Sequence, residues 1–242
     1  MKYIFMMAGK GTRLNPLTLH QPKSLFKLDD NTTIFQRMVE LICKYDEDAS
    51  IYAVTGFMHD AIENTVKNEK VHYVYNPFYA VTNSIASLWF AREHMEGDLV
   101  LINGDIVLTE ELVRDILCQK TTKPVVLLDS SIKTDGDYNV EVSGEKVLVM
   151  SKQLNSYYGE YAGVVKLDAA SVPAVKKEIE AMVADGCYDQ WYENALVQMI
   201  FESNFSLGYI DLCEHDWTEV DCVDDLIHAR KIFERDKKLS EG

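Results

Sequence analysis

The sequence predicts an α/β fold in which helices cover a mostly parallel, mixed β-sheet. Over the first half of the chain, short apolar runs alternate with amphipathic segments, as they do in right-handed βαβ crossovers. The apolar runs suit strands that are buried within a covered sheet. The second half departs from this order with two strands around a tight turn, which predicts a small insertion built on a β-hairpin. In such a fold, ligands bind at the carboxyl ends of the strands.

The first half is expected to supply four strands and three helices. The first helix has its apolar residues on one face, and either Thr32 or Thr33 can cap its N-terminus. The third strand is stopped by Asn76 and Pro77, and the fourth is followed at once by Gly-Asp. The predicted elements are, in order, strand Tyr3–Met7, helix Ile34–Tyr45, strand Ile51–Val54, helix Ala61–Lys67, strand Val71–Tyr75, helix Ser84–Met95 and strand Leu99–Asn103.

The second half contains the hairpin and the remaining elements. The hairpin turns at Ser143 and Gly144, and the run "YYGEYAGVVKL" after it is a further extended stretch. No internal repeat, low-complexity tract or flexible linker interrupts the chain, so residues 1–242 are expected to form one domain. The predicted elements are strands Val125–Leu128, Asn139–Val142 and Lys146–Met150, helices Val172–Ala184 and Trp191–Phe201, strands Ser206–Leu212 and Trp217–Val220, and a terminal helix from Val223 to about Lys237.

Composition excludes several classes of protein. The net charge of −15 argues against binding to nucleic acid, since neutralising phosphates needs a basic face. No apolar run approaches the roughly 18 residues of a membrane span. The five cysteines are scattered and form no C-x-x-C pair, so they are expected to be reduced and structural. A cytoplasmic protein that binds no membrane is therefore expected.

The charge is distributed unevenly along the chain. Residues 1–28 contain five Lys or Arg and no Asp or Glu, whereas residues 29–242 hold 19 Lys and Arg against 39 Asp and Glu. The opening segment thus carries +5 on a chain that is otherwise −20. A window of this length can lack acids by chance, but a binding site for a small anion explains the pattern better.

The loop behind the first strand, "MAGKGTRLNPLTLHQPKSL" (residues 7–25), has the glycines of a phosphate-binding loop. It is not a Walker A loop, because Lys10 lies between the two glycines instead of after the second. It is not a dinucleotide fingerprint either, because Leu14 replaces the third glycine. Gly9 and Gly11 let the backbone approach a ligand and form an anion nest. Arg13 and Lys23 would then supply the compensating charge. Gly11 and Thr12, which precede Arg13 in the loop, are predicted to bind the same ligand.

This loop resembles the G-x-G-[TS]-R-L…P-K signature of the nucleotidyltransferases that activate sugar phosphates and small phosphorylated alcohols. Two later segments, "INGDIVL" and "TEVDCVDDL", are also similar to that family, so the resemblance spans nearly the whole chain. It implies a Rossmann-like sheet, an NTP held by the loop, and Mg²⁺ held by Asp105 and Asp221, with Glu219 as a further contact. By residue type alone, Asp105 could be a turn residue and Glu219 and Asp221 exposed polar positions. In-line nucleotidyl transfer needs charge neutralisation, which Mg²⁺ with one or two carboxylates provides.

The resemblance also implies an acceptor side. Lys152 occupies the place of a lysine that contacts the acceptor phosphate, and Glu160 with Gly163 is similar to the segment that lines the acceptor pocket. Residues 1–130 are then expected to bind mainly nucleotide, residues 131–215 mainly acceptor, and residues 216–242 to form a closing metal-binding strand and helix. The nucleotide base is expected to meet mostly backbone groups, at Ala8, Gly9, Gly56, Asn83 and Ser84.

Three segments, "NPFYAVTNSIASLWF", "YDQWYENAL" and "WTEVDCVDDL", resemble the branch of cytidylyltransferases that act on phosphocholine or related aminoalkyl phosphates and phosphonates. An ammonium group is held well by aromatic faces and a nearby carboxylate, and four such residues lie between 189 and 193. On a helix, Asp189, Tyr192 and Glu193 share a face while Trp191 turns away, which ranks Trp191 below the other three. The alternative is that Trp191 and Tyr192 are core residues of the helix.

The sequence therefore predicts an Mg²⁺-dependent cytidylyltransferase that joins CMP from CTP to a small phosphorylated amine, phosphocholine or a 2-aminoethylphosphonate-like compound, and releases pyrophosphate. In this hypothesis Arg13 and Lys23 neutralise the triphosphate and Lys152 guides the acceptor. One alternative is a sugar-1-phosphate uridylyl- or thymidylyltransferase. Another is a nucleotide-binding regulatory protein without turnover. Assembly into a homo-oligomer is left open.

Overall fold

The computed structural model describes residues 1–132 and 138–241 and contains an α/β fold, as predicted. The strands are β1 (Lys2–Met7), β2 (Ser50–Thr55), β3 (Val71–Tyr75), β4 (Leu99–Asn103), β5 (Ile106–Leu108), β6 (Val125–Asp129), β7 (Asn139–Ser143), β8 (Lys146–Ser151), β9 (Gly159–Leu167), β10 (Gly208–Asp211) and β11 (Trp217–Glu219). The helices are α1 (Ile34–Tyr45), α2 (His59–Thr65), α3 (Ser84–Phe90), α4 (Glu110–Leu112), α5 (Val172–Ala184), α6 (Glu193–Ser203) and α7 (Val223–Glu241).

Nine strands form one mixed sheet in the order β3-β2-β1-β4-β9-β6-β10-β8-β7. The part built by the first half of the chain, β3-β2-β1-β4, is wholly parallel, as the alternation of strands and helices predicts. Strand β9 then inserts antiparallel between β4 and β6. The hairpin β7–β8 joins this sheet, because β7 also pairs with β9 and β8 meets β10. The predicted insertion is thus continuous with the central sheet.

Strand β1 shows how both faces of the sheet are covered. Tyr3 and Phe5 pack into one core with α1, whereas Ile4 points into the opposite core with α3 and α5. All three side chains are at most 1% exposed, as an apolar run buried on both faces requires. Helix α1 has the predicted bounds and begins with a capping box in which Thr33 and Gln36 satisfy each other's backbone N–H groups.

Three predicted helices differ at their ends. Helix α3 stops at Phe90 and is followed by a separate 3₁₀ turn, Arg92–His94. Helix α2 starts at His59, two residues before the predicted start, behind Met58 in the left-handed conformation. Helix α6 begins at Glu193 instead of Trp191, and this difference matters for the site.

Two short elements after β4 were not predicted from the sequence. Strand β5 has only three residues and follows a two-residue turn, so it gives no periodic pattern of its own. It pairs antiparallel with β11 in a separate two-stranded sheet that places Glu219 opposite Ile106. Helix α4 continues into a wider turn at Val113–Leu117. The described part of the chain contains no helix that is long and apolar enough to cross a membrane.

Candidate active site

A cavity of about 260 Å³ lies at the carboxyl ends of β1 and β4, where an α/β sheet is expected to bind ligands. Ala8 and Gly9 line it just after β1, and Asn103 and Asp105 line it where β4 ends. A second cavity of about 280 Å³ continues from it under the loop that follows β1. Gly9, Arg13 and Asp105 line both cavities, so the two spaces adjoin one another.

The loop after β1 folds as three one-turn 3₁₀ helices, Thr12–Leu14, Leu17–Leu19 and Lys23–Leu25. Gly11 has a φ of +61°, and a Cβ there would lie 3.0 Å from the Lys23 side chain. Both the left-handed backbone conformation and the close approach of Lys23 therefore favour glycine at this position. At Gly9 a Cβ would meet no protein atom within 4 Å, because that side faces the open cavity. Gly11, Thr12 and Lys23 line the second cavity. The loop thus surrounds a space of suitable size for phosphates.

Three carboxylates meet at the junction of the cavities. Oxygens of Asp105, Glu219 and Asp221 all lie within 4.8 Å of one another. The pairing of β5 with β11 brings them together, because it places the end of β11 beside the turn after β4. The Val220 N–H donates to the Asp105 carbonyl at 3.0 Å and holds this geometry.

Two cations of the loop reach this carboxylate cluster. The Lys23 ammonium lies 2.9 Å from Oδ2 of Asp105 and also donates to Asp221. The Arg13 guanidinium forms an ion pair with Asp221. Burial opposes the charge on Lys23, but the charges and hydrogen bonds of Asp105 and Asp221 outweigh it and raise its pKa. Burial, together with the charges of Asp105 and Asp221, raises the pKa of Glu219 well above its usual value.

The donor set of this cluster is suited to a magnesium ion. All three side chains offer carboxylate oxygens, the hard ligands that Mg²⁺ prefers, and no His or Cys belongs to the group. One or two of the carboxylates are enough, because Mg²⁺ completes its coordination with water and phosphate oxygens. The residues therefore fit the ion that the family resemblance implies.

One part of the main cavity's wall is aromatic and acidic. It is formed by Tyr138, Tyr161 and Trp191 with the carboxylates of Glu160 and Glu193. Tyr138 packs edge-on against both other rings, with centroid distances of 5.9 Å to Tyr161 and 5.7 Å to Trp191. Rings and carboxylates together form a wall that suits a cationic group.

A lysine lies among these groups. The Lys152 ammonium is 5.0 Å from the centroid of the Trp191 ring and lines the same cavity. Among the described residues, Lys152 and Arg13 are the two cationic side chains that line this cavity. Phosphate oxygens within the cavity would therefore have Arg13 and Lys152 as cationic partners.

Glu193 is 5% exposed and is the first residue of α6. Burial raises its pKa to about 7, while hydrogen bonds from Tyr192 and Tyr161 and the charge of Lys152 act in the opposite direction. Near neutral pH the pocket thus holds a carboxyl group that is poised between its neutral and charged forms.

Of the residues predicted between 189 and 193 to receive the acceptor, the structure places Trp191 and Glu193 in the cavity wall and leaves Asp189 and Tyr192 out of it. Tyr192 is 1% exposed and lies behind the wall, where its hydroxyl meets that of Tyr161 at 2.9 Å. Asp189 is exposed, interacts with Gln190, and is not among the described residues that line the cavity. Trp191, ranked below them, lines the cavity directly. The physical reason is that α6 begins at Glu193, so helical spacing does not apply to residues 189–192.

The remaining predicted residues fall into two groups. Ala8, Gly9, Asn83, Ser84, Lys152 and Glu160 all line the main cavity. Gly56 instead packs under Tyr79, since a Cβ there would lie 2.5 Å from the Cβ of Tyr79. Gly163 has a φ of +68° and accommodates the side chain of Ile106, so its role in the structure is packing between β9 and β5.

Sequence reasoning missed several lining residues. Tyr79, Thr82 and Ser87 come from the segment "NPFYAVTNSIASLWF", which was singled out for family resemblance but not assigned residue by residue. Tyr138 and Tyr161 flank the hairpin in the chain, and their convergence depends on the pairing of β7 with β9. Sequence periodicity carries no signal for such a long-range pairing.

Comparison with known proteins decides the family. The model of the family described as "Nucleotidyl transferase" matches residues 2–126, which is more than half of the chain. The chain belongs to the nucleotidyl transferase family. This confirms the resemblance inferred from the loop after β1, and it makes the protein a nucleotidyltransferase.

Two curated relatives match this nucleotidyltransferase over nearly its full length. The CTP:phosphoglutamine cytidylyltransferase of Campylobacter jejuni is 23% identical over 250 residues, covering 93% of this chain and 98% of the relative. The choline-phosphate cytidylyltransferase of Streptococcus pneumoniae is 25% identical over 238 residues, covering 98% of this chain and all of the relative.

Among solved structures, the CTP:phosphocholine cytidylyltransferase from Streptococcus pneumoniae superposes with a TM-score of 0.75 at 22% identity, covering 96% of this nucleotidyltransferase and 98% of that chain. This likeness confirms the α/β fold.

Proposed function

We propose that this nucleotidyltransferase is an Mg²⁺-dependent cytidylyltransferase that transfers CMP from CTP to a small phosphorylated amine. The observation that carries the proposal is that one site combines two different groups of side chains. One group is the cationic loop with the carboxylate cluster of Asp105, Glu219 and Asp221, and the other is the aromatic and acidic wall. The names of the relatives, which act with CTP on phosphocholine or phosphoglutamine, agree with this reading.

The proposed reaction is an in-line displacement. A phosphate or phosphonate oxygen of the acceptor attacks the α-phosphorus of CTP, the new P–O bond forms, and the bond to the β-phosphate oxygen breaks, releasing pyrophosphate. Two polyanions must approach each other on a chain of net charge −15, so local cations are required. In this proposal Arg13 and Lys23, which line the cavity under the loop, would hold the triphosphate, and Lys152, which lines the main cavity, would hold the acceptor phosphate.

Asp105 and Asp221 would hold the magnesium ion, with Glu219 as a direct or water-mediated third ligand. When bound, the ion supplies positive charge that offsets the charge on the reacting phosphates. Lys23 and Arg13 already contact these carboxylates, so they remain within reach of phosphates bound at the same place.

The acceptor's cationic group is proposed to lie against the aromatic and acidic wall. A cation over a tryptophan face gains about 0.5–2 kcal/mol, depending on how well it is desolvated. Glu193 would supply the opposite charge from a position that is 5% exposed. A hexose phosphate carries no cation, so these groups favour an amine acceptor over a sugar phosphate.

A panel of reactions tests the proposal. Pyrophosphate release is measured with each of CTP, UTP, dTTP and ATP against phosphocholine, 2-aminoethylphosphonate and glucose 1-phosphate, with and without Mg²⁺. The expected result is release with CTP and an amine acceptor only, and only when Mg²⁺ is present. Release with glucose 1-phosphate and UTP or dTTP would instead identify a sugar-1-phosphate transferase. No release with any pair would leave nucleotide binding without turnover.

A further inference from the structure

The segment that carries Trp191 is attached to the first turn of α3. The N–H of Asn83 donates to the carbonyl of Tyr188 at 3.0 Å, and the N–H of Ile85 donates to the carbonyl of Gln190 at 3.1 Å. Between these two backbone bonds, the Ser84 hydroxyl accepts the N–H of Tyr192 at 2.9 Å. Three consecutive residues, namely Asn83 and the first two residues of α3, thus bind alternate residues of the segment 188–192.

These bonds fix the residues on both sides of Trp191. Gln190 and Tyr192 are held to α3, so the Trp191 backbone between them has little freedom to move. The far side of the segment is held as well, because Asn194 donates to Gln190 and accepts the hydroxyl of Tyr138, both at 2.9 Å. The orientation of the aromatic wall therefore depends on a small number of polar contacts.

Ser84 occupies a particular place in this arrangement. Of the three bonds from residues 83–85, the one from Ser84 is the only one made by a side chain. Ser84 also lines the main cavity, as its neighbour Asn83 does. Tyr192, which it holds, is 1% exposed and precedes Glu193, so a shift of Tyr192 moves both Trp191 and Glu193. The net contribution of such a hydrogen bond changes the equilibrium between its closed and open forms by about 2- to 10-fold.

We infer that Ser84 is a positioning residue for the acceptor wall: by holding the Tyr192 N–H it sets where Trp191 and Glu193 stand. This inference rests on the proposed function for its kinetic consequence, but not for its structural one. A direct role of Ser84 as a nucleotide ligand is the competing assignment, and it makes a different kinetic prediction.

The first test is amide hydrogen exchange, which needs no substrate. In Ser84→Ala, exchange at the Tyr192 amide should rise by about 2- to 10-fold, whereas Ser84→Thr, which keeps the hydroxyl, should restore the wild-type rate. Ser87→Ala is a matched control, because Ser87 lies one turn later on α3 and its hydroxyl accepts from Asn76 instead. Unchanged exchange at Tyr192 in Ser84→Ala, or an equal rise in Ser87→Ala, would overturn the inference.

The second test separates acceptor from nucleotide, using phosphocholine and CTP with the whole enzyme. Ser84→Ala should raise the KM for phosphocholine several-fold and leave the KM for CTP within error of the wild type, and Ser84→Thr should rescue the acceptor KM. A larger effect on the KM for CTP would make Ser84 a nucleotide ligand and overturn the positioning role. If the wild type turned over none of the acceptors, the proposed function would fail, and the exchange measurement would still decide the role of Ser84.

Discussion

Replacing Glu193 with glutamine should increase stability above neutral pH while weakening acceptor binding. Burial raises the pKa of Glu193 from an ordinary value of 4.5 to about 7. Because the pKa is higher in the folded state, the folded protein binds this proton more tightly than the unfolded chain does. The stability contributed by protonation of Glu193 is therefore present in full below the unfolded pKa of 4.5 and is lost as the pH rises through about 7. At 1.36 kcal/mol for each tenfold change in proton affinity, the loss is about 3 kcal/mol.

Glutamine is neutral and has nearly the same shape, so Glu193→Gln should not show this loss. The measurement is the free energy of unfolding of both proteins in urea, at pH values below 4.5 and above 7. The difference between variant and wild type should grow by about 3 kcal/mol in favour of the variant over that interval. Taking the difference cancels any constant effect of the substitution. A difference that does not change with pH would refute the reasoning.

The same titration should appear in catalysis. Only ionised Glu193 pairs with an ammonium group, so the KM for phosphocholine in the wild type should rise by up to about tenfold for each pH unit below 7, until it reaches the KM of Glu193→Gln. The acceptor phosphate itself takes up a proton near pH 6, to about the same extent with either protein. The informative quantity is therefore the ratio of the two KM values, variant over wild type, at each pH. That ratio should be largest above pH 7 and approach one at low pH.

Five further substitutions, one of them a control, test the site and the fold. Lys23→Met should abolish turnover but bind Mn²⁺ about tenfold more tightly in the absence of nucleotide, because the lysine no longer competes for the carboxylates that bind the metal. Electron paramagnetic resonance of free Mn²⁺ measures this affinity, and an affinity equal to that of the wild type would contradict the prediction. Asp105→Asn should reduce Mg²⁺-dependent turnover by orders of magnitude, and a normal Mg²⁺ titration would show that the metal is held elsewhere. Trp191→Leu should raise the KM for phosphocholine by about 2- to 30-fold while Asp189→Asn leaves it unchanged; the reverse order would restore the ranking predicted from helical spacing. Thr33→Ala removes a capping box and should lower stability by about 1 kcal/mol, seen as a fall in Tm of about 2–4 °C; an unchanged Tm would mean that the cap contributes nothing.

Local signals predicted the first half of the fold well. The bounds of α1, β3 and β4 match the predicted ones, because each is a strongly apolar or amphipathic run with clear stops at its ends. The basic loop after β1 was recognisable for the same reason, since its glycines, Arg13 and Lys23 lie close together in the chain. These elements and this loop could be predicted because the residues that form each of them are close together in the sequence.

The parts that sequence could not supply depend on long-range pairing or on the end of an element. Glu219 meets Asp105 through the pairing of β11 with β5, and β5 is too short to show a pattern. Asp189 and Tyr192 lie outside the cavity wall, in contrast to the expectation, because helical spacing was applied to residues that precede the first residue of the helix. The burial of Lys23 is a further case, because its side chain is 11% exposed only through contact with two carboxylates that lie far away in the sequence.

Strand β9 has a consequence for how this enzyme can diversify. Its C-terminal half pairs with β4, its first residues pair with β7, and β6 pairs with both of these parts. One continuous strand therefore links the parallel half of the sheet to the hairpin, and these two parts cannot separate without breaking ladder hydrogen bonds. Grafting a foreign segment for residues 131–215 would cut this sheet at several ladders at once. If the proposed function holds, we expect a new acceptor preference to arise more readily from single side chains of the wall, such as Trp191 or Tyr138, than from exchange of this whole segment.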